Sequence, residues 1–182
     1  MPRVVGGAVL AAAFLVLPGV TARGAANQES DIVVKAALFY NFAKFTEWPA
    51  LPAGAPLAAC VVGNDGFAAA LADDARGRHI KGHAIDVRRP QNAASWADCH
   101  LLFVADLQVL RATAGLAAIK TRPVLTVSDG KNFATATGMI ELYVEQKRMR
   151  FAINLTAAER SGLRLDSRLL SLARIIRAGL DQ

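Results

Sequence analysis

Three short segments, LAACVVG (Leu57–Gly63), CHLLFVAD (Cys99–Asp106) and PVLTVSD (Pro123–Asp129), are apolar almost throughout rather than at every second position. A strand wet on one face alternates, so a continuous apolar run of strand length marks a strand covered on both faces. NDGFAAALADDARG (Asn64–Gly77) and LQVLRATAGLAAIKT (Leu107–Thr121) lie between them and read as helices, and HIKGHAIDVRRP adds a strand around Ala84–Arg88. Strands and helices alternating in this way build a parallel sheet with helices on both faces. The last third differs. MIELYVEQ and RMRFAINL alternate around Gln146-Lys147, as an antiparallel hairpin does, although that pair lacks the usual Asn-Gly turn chemistry. Thr156 and Glu159 read as a capping box for a short helix. A final helix from Asp166 would carry Leu169, Leu172, Ala173 and Ile176 on one face. The expected fold is α/β: a three-layer single domain with a mixed, mostly parallel sheet, a C-terminal antiparallel hairpin and flanking helices.

The start of the chain sets its compartment. Arg3 precedes VVGGAVLAAAFLVLPGV, an uncharged apolar run that is short for a membrane span and is broken by Pro18-Gly19. Small residues follow, so residues 1–26 read as a secretory signal peptide cleaved after Ala22 or Ala26, leaving 27–182 as the domain. The expectation is an exported, periplasmic protein with no stable membrane insertion after cleavage. Loss of Arg3 and Arg23 takes the formal charge from +6 to +4, and the remaining Lys and Arg form no stripe, so nucleic acid is not an expected partner. Charged residues at 20% and apolar ones at 53% exclude a disordered chain. In an oxidising compartment the two cysteines, Cys60 and Cys99, read as one disulfide, a staple rather than a redox switch.

The segment KAALFYNFAKFTEWP (Lys35–Pro49) holds five of the twelve aromatic residues: Phe39, Tyr40, Phe42, Phe45 and Trp48. It reads as a helix capped by Ser30 or Asp31 and ended by Pro49. Its polar stripe is narrow (Lys35, Asn41, Lys44, Glu47), which suits a core helix or a partner-docking face better than a membrane-lying helix with a broad basic face. Phe39, Phe42 and Phe45 are expected on the sheet, with Trp48 anchoring the exit. Any ring left exposed is a docking candidate.

Catalytic constellations are missing from the motifs: there is no G-x-S-x-G, H-E-x-x-H or S-x-x-K set, and no enzyme, cofactor or metal is expected. His79 and His83 are four apart, but Gly82 interrupts any helix between them. Adjacent Cys99 and His100 point to opposite faces of a strand and do not pair as nucleophile and base. Strand ends of a parallel sheet are where ligands settle, so Asn64, Asp65, Asp106, Ser128 and Asp129 outline a candidate ligand crevice.

KAALFYNFAKFTEWP, then CVVGNDGF with a distant Cys, then SDGKNFATATGMIELYVEQKRMRFAINLTAAERSGLRLDSRLLSLARII, resemble in order the YfiR-like family of periplasmic proteins, over about Ile32–Ile176. The resemblance implies an α/β fold, a homodimer, and a repressor that binds the periplasmic sensor domain of an inner-membrane diguanylate cyclase and lowers cyclic di-GMP. The alternative is a periplasmic small-ligand sensor using the strand-end crevice. Cys60 and Cys99 match the family's long-range disulfide pair. The family's best-known repressor carries a second cysteine pair near its C-terminus, absent here, which favours the structural staple.

Overall fold

The computed structural model describes residues 21–49, 51–136 and 138–177, with side chains from Asp31 onward. The apolar part of the expected signal peptide, residues 1–20, lies outside them. Among the described residues seventeen elements follow in order. Helix α1 (Thr21–Lys44), strands β1 (Thr46–Glu47) and β2 (Leu57–Val62), helix α2 (Asp65–Ala75) and strands β3 (His79–Ile80) and β4 (His83–Arg88) come first. A 3-10 turn (Ala93–Asp98), β5 (Leu101–Val104), α3 (Asp106–Ile119), β6 (Leu125–Ser128) and α4 (Phe133–Ala136) lead to the hairpin β7 (Ile140–Glu145) and β8 (Arg148–Asn154). Helix α5 (Leu155–Arg160), β9 (Arg164–Leu165), α6 (Ser167–Leu170) and β10 (Arg174–Ile176) complete the fold.

The main sheet has the order β10-β8-β7-β6-β5-β2-β4-β3. Strands β4, β2, β5, β6 and β7 run parallel; β8 is antiparallel to β7, and β3 to β4. Alternation along the strands sorts the core into two layers. Ala59, Val61, Leu101, Phe103, Leu125 and Val127 face α1 and α2, where Phe39, Phe42, Phe67 and Leu71 pack. Cys60, Leu102 and Val104 face the other way, onto Trp96, Ala112, Leu116, Ile119 and Phe133. This is the expected three-layer α/β domain.

Four boundaries differ from the sequence reading. Helix α1 is already underway at Thr21, so Ser30 and Asp31 are not its caps; Asp31 instead pairs with Lys35 one turn on, at 2.7 Å. The helix ends at Lys44, before Pro49, because the Thr46 hydroxyl donates to the Phe42 carbonyl (2.7 Å) and Thr46-Glu47 pair with β9. Helix α5 is capped by Asn154, whose Oδ1 accepts the Ala157 N–H at 3.0 Å, rather than by a Thr156–Glu159 box. The final helix is one turn long. Asp166 caps it as expected, but the chain then turns into β10, parallel to β8, and Leu172 is exposed rather than in the core.

The Gln146-Lys147 hairpin is present, with both residues at positive φ (48° and 61°). That is the backbone of a type I′ turn, for which neither side chain is well suited. One close approach requires glycine: the Phe133 ring lies over Gly138 so tightly that a Cβ there would overlap it.

Candidate functional site

The aromatic segment divides between core and surface. Phe39 and Phe42 are sealed in the layer between α1 and the sheet. Phe39 meets Phe67 and Phe103 edge-on at 5.7 and 6.2 Å, and Phe42 meets Phe151 at 5.1 Å. Trp48 is also buried, and its Nε1 donates to the His100 carbonyl at 3.1 Å, so it anchors the segment's exit to the start of β5. Phe45 and Tyr40 are only half-buried. The Arg78 guanidinium lies 3.9 Å from the Tyr40 ring centroid, and that of Arg168 lies 5.1 Å from Phe45. Lys44 Nζ, at the end of α1, lies 5.8 Å from the centroid of the Phe45 ring that follows it.

Cys60 in β2 and Cys99, just before β5, are joined by a disulfide with their Cα atoms 5.9 Å apart. Beside it His100 is fixed from several directions. The Ala58 N–H donates to its ring Nδ1 at 3.0 Å, and the His100 backbone N–H donates to the Ala58 carbonyl at 2.9 Å. A ring nitrogen that accepts cannot also carry a proton, so the fold selects the neutral imidazole. Burial, with Arg88 and His83 nearby, holds its pKa below the ordinary histidine value. His79 and His83 lie on the two strands of the β3–β4 hairpin rather than on a helix. Among the described residues no three His, Cys, Asp or Glu side chains gather in a metal-holding group.

At the C-terminal ends of the parallel strands, Asp106, Ser128 and Asp129 come together. Asp129 Oδ1 accepts the Asp106 N–H at 2.9 Å, capping α3 from the end of β6, and Ser128 Oγ accepts the Gly130 N–H at 2.9 Å. The other Asp129 oxygen meets Lys35 Nζ at 2.8 Å, and Lys35 also holds Asp31. Burial works against the Lys35 ammonium, but the two carboxylates outweigh it and its pKa stands above the ordinary lysine value. Lys35 is the member of this cluster that spacing alone did not point to, because its partner is 94 residues away. Asn64 and Asp65 sit at the start of α2. Asn64 Oδ1 caps that helix by accepting the Phe67 N–H at 2.9 Å, and Asp65 is exposed, 3.5 Å from Arg89. These polar groups therefore bond mainly to one another and to backbone.

Gly138-Met139-Ile140 and Phe151–Leu155, two of the segments that carry the family resemblance, meet in space. The buried Asn154 donates to the Ala134 carbonyl at 2.8 Å while its oxygen caps α5. The buried Glu141 carboxylate accepts the Ala134 N–H at 3.3 Å, and Thr126 Oγ1 accepts the Met139 N–H at 3.0 Å. One short helix, α4, is thus held by two strands, β7 and β8, and the segment that follows it by a third, β6.

No curated protein matches the chain. The family description that does match is YfiR/HmsC-like, over residues 33–174. That span runs from the aromatic helix α1 through the α4 clamp to β10, so the chain belongs to the YfiR/HmsC-like family.

Proposed function

We propose that this protein is a periplasmic regulator that binds the sensor domain of an inner-membrane diguanylate cyclase and holds cyclic di-GMP synthesis low. Residues 1–26 would serve as the export signal, and the mature chain would act as a homodimer. Family membership over residues 33–174 is the observation that carries the reading. To repress, the protein must prefer the cyclase's inactive conformation, since equal affinity for both states shifts nothing. A preference of about 2 kcal/mol biases that equilibrium roughly thirtyfold.

The strand-end ligand reading is less favoured. A ligand at Asn64, Asp65, Asp106, Ser128 and Asp129 would compete with the α2 cap, the α3 cap and the Lys35 ion pair. The test is cellular cyclic di-GMP after deletion of the gene and its restoration. A rise on deletion, reversed by the full-length chain but not by one lacking residues 1–26, is expected. Unchanged cyclic di-GMP would refute the repressor role.

A further inference from the structure

We infer that the cleft beside the half-buried rings of Tyr40 and Phe45 is the docking site for an acidic polypeptide segment of a protein partner; this rests on the protein-binding reading above. The cleft, about 270 Å³, is lined by Tyr40, Lys44, Phe45, His79, Lys81 and Arg168. Through Ile80 and Lys81 it adjoins a second hollow of about 260 Å³, whose wall includes Trp48, Leu51 and Leu57. A basic, ring-walled hollow thus opens beside a more apolar one.

Charge bookkeeping around the cleft leaves a surplus of one sign. Arg168 is paired with Asp166 (2.7 Å) and Arg78 with Asp74, while Glu47, in the wall of the second hollow, and Arg164, opposite it in the β1–β9 register, form no ion pair among the described residues. Lys44 and Lys81 form no ion pair among the described residues; Lys81 Nζ donates to the Thr46 carbonyl at 3.3 Å, and the Asp166 carboxylate held by Arg168 is near enough to feel its charge. Two ammonium groups outside any ion pair, beside half-buried rings, form a surface for carboxylates. Two hollows joined at Lys81 suit a chain segment, with an acidic residue at one and an apolar residue at the other, better than a single small anion. The site also accounts for Tyr40 and Phe45 remaining outside the core.

The experiment is fluorescence anisotropy of a short labelled peptide of Glu and Asp flanking a central Leu-Phe pair, titrated with the oxidised protein lacking residues 1–26. Lys44→Glu with Lys81→Glu should weaken binding at least about tenfold, and Lys44→Gln with Lys81→Gln by less. Arg111→Glu on α3 with Lys120→Glu just after it, across the sheet, should change it by less than about twofold. Equal weakening by the two reversals, or no binding of the peptide, would overturn the proposal. So would a cleft reversal that abolishes binding to phosphatidylglycerol vesicles but not to the peptide, which would make the surface lipid-facing. Since the titration contains no cyclase, it can fail while gene deletion still raises cyclic di-GMP, and the converse is equally open.

Discussion

Gly138→Ala tests how rigidly the α4 clamp is built. An alanine Cβ at this position would stand 1.9 Å from Phe133 Cε1 and 2.3 Å from both Cδ1 and Cζ. Carbon atoms in contact sit about 3.5–4.0 Å apart, so the ring would have to retreat by about 1.5 Å or more. It has little room, being 1% exposed and packed with Trp96, Leu116 and Val124. Nor can α4 move as a unit, because Glu141 and Asn154 hold both backbone groups of Ala134. Overpacking a core by one methyl costs about 1–3 kcal/mol, and the immobile surroundings place this substitution near about 3. For a domain of this size that lowers Tm by about 6–12 °C. Urea unfolding of the oxidised protein at constant m-value is the assay. Phe133→Ala alone should cost about 3–5 kcal/mol, and adding Gly138→Ala to it should cost almost nothing further, a coupling of about 2–3 kcal/mol. A Gly138→Ala loss under about 0.5 kcal/mol, or strict additivity with Phe133→Ala, would refute the close approach as the reason for glycine.

Reducing the Cys60–Cys99 disulfide, which spans 39 residues, should lower stability by about 4 kcal/mol in the chain-entropy picture; alkylation of both thiols in the unreduced, denatured protein would show the bond is not formed. Gln146→Asn with Lys147→Gly relieves two positive-φ residues in the hairpin turn and should raise stability by about 1–2 kcal/mol, read from the shift in urea midpoint. His100 contributes a pH dependence of known sign. Its folded pKa lies below the unfolded value of 6.5, so its contribution is fully present above pH 6.5 and is lost as pH falls through the lower folded value. His100→Asn should flatten the stability profile as pH falls below about 7, and an unchanged slope would remove His100 as its source.

The strands that form the centre of the sheet were legible because burial on both faces leaves a continuous apolar signature at Leu57–Val62, Leu101–Val104 and Leu125–Ser128. The Ile140–Asn154 hairpin was legible from its alternation even though Gln146-Lys147 is a poor turn. Helix ends were not. Asn154 and Thr156 are both good caps, and the choice between them is made by Ala134, 20 residues earlier, which holds the Asn154 amide. The last helix failed for a related reason. Leu169, Leu172, Ala173 and Ile176 fit a helical stripe, yet Arg174–Ile176 gains a partner strand in β8 that no local pattern reveals. At the candidate sites, the core role of Phe39 and Phe42 followed from the narrow polar stripe of α1. The tie between Lys35 and Asp129 is purely tertiary, as is the meeting of Tyr40, Lys81 and Arg168 in one cleft.

The single disulfide has a topological consequence. It closes a ring of chain that contains α2, the β3–β4 hairpin and the 3-10 turn. Arg76, Arg78, Lys81 and Arg88 all lie on that ring, and all are exposed. A trypsin-like protease that nicks one of them opens the ring but releases nothing, since both cut ends stay covalently attached through Cys60 and Cys99 and by the sheet. On this part of the surface a single cut therefore leaves the molecule in one piece.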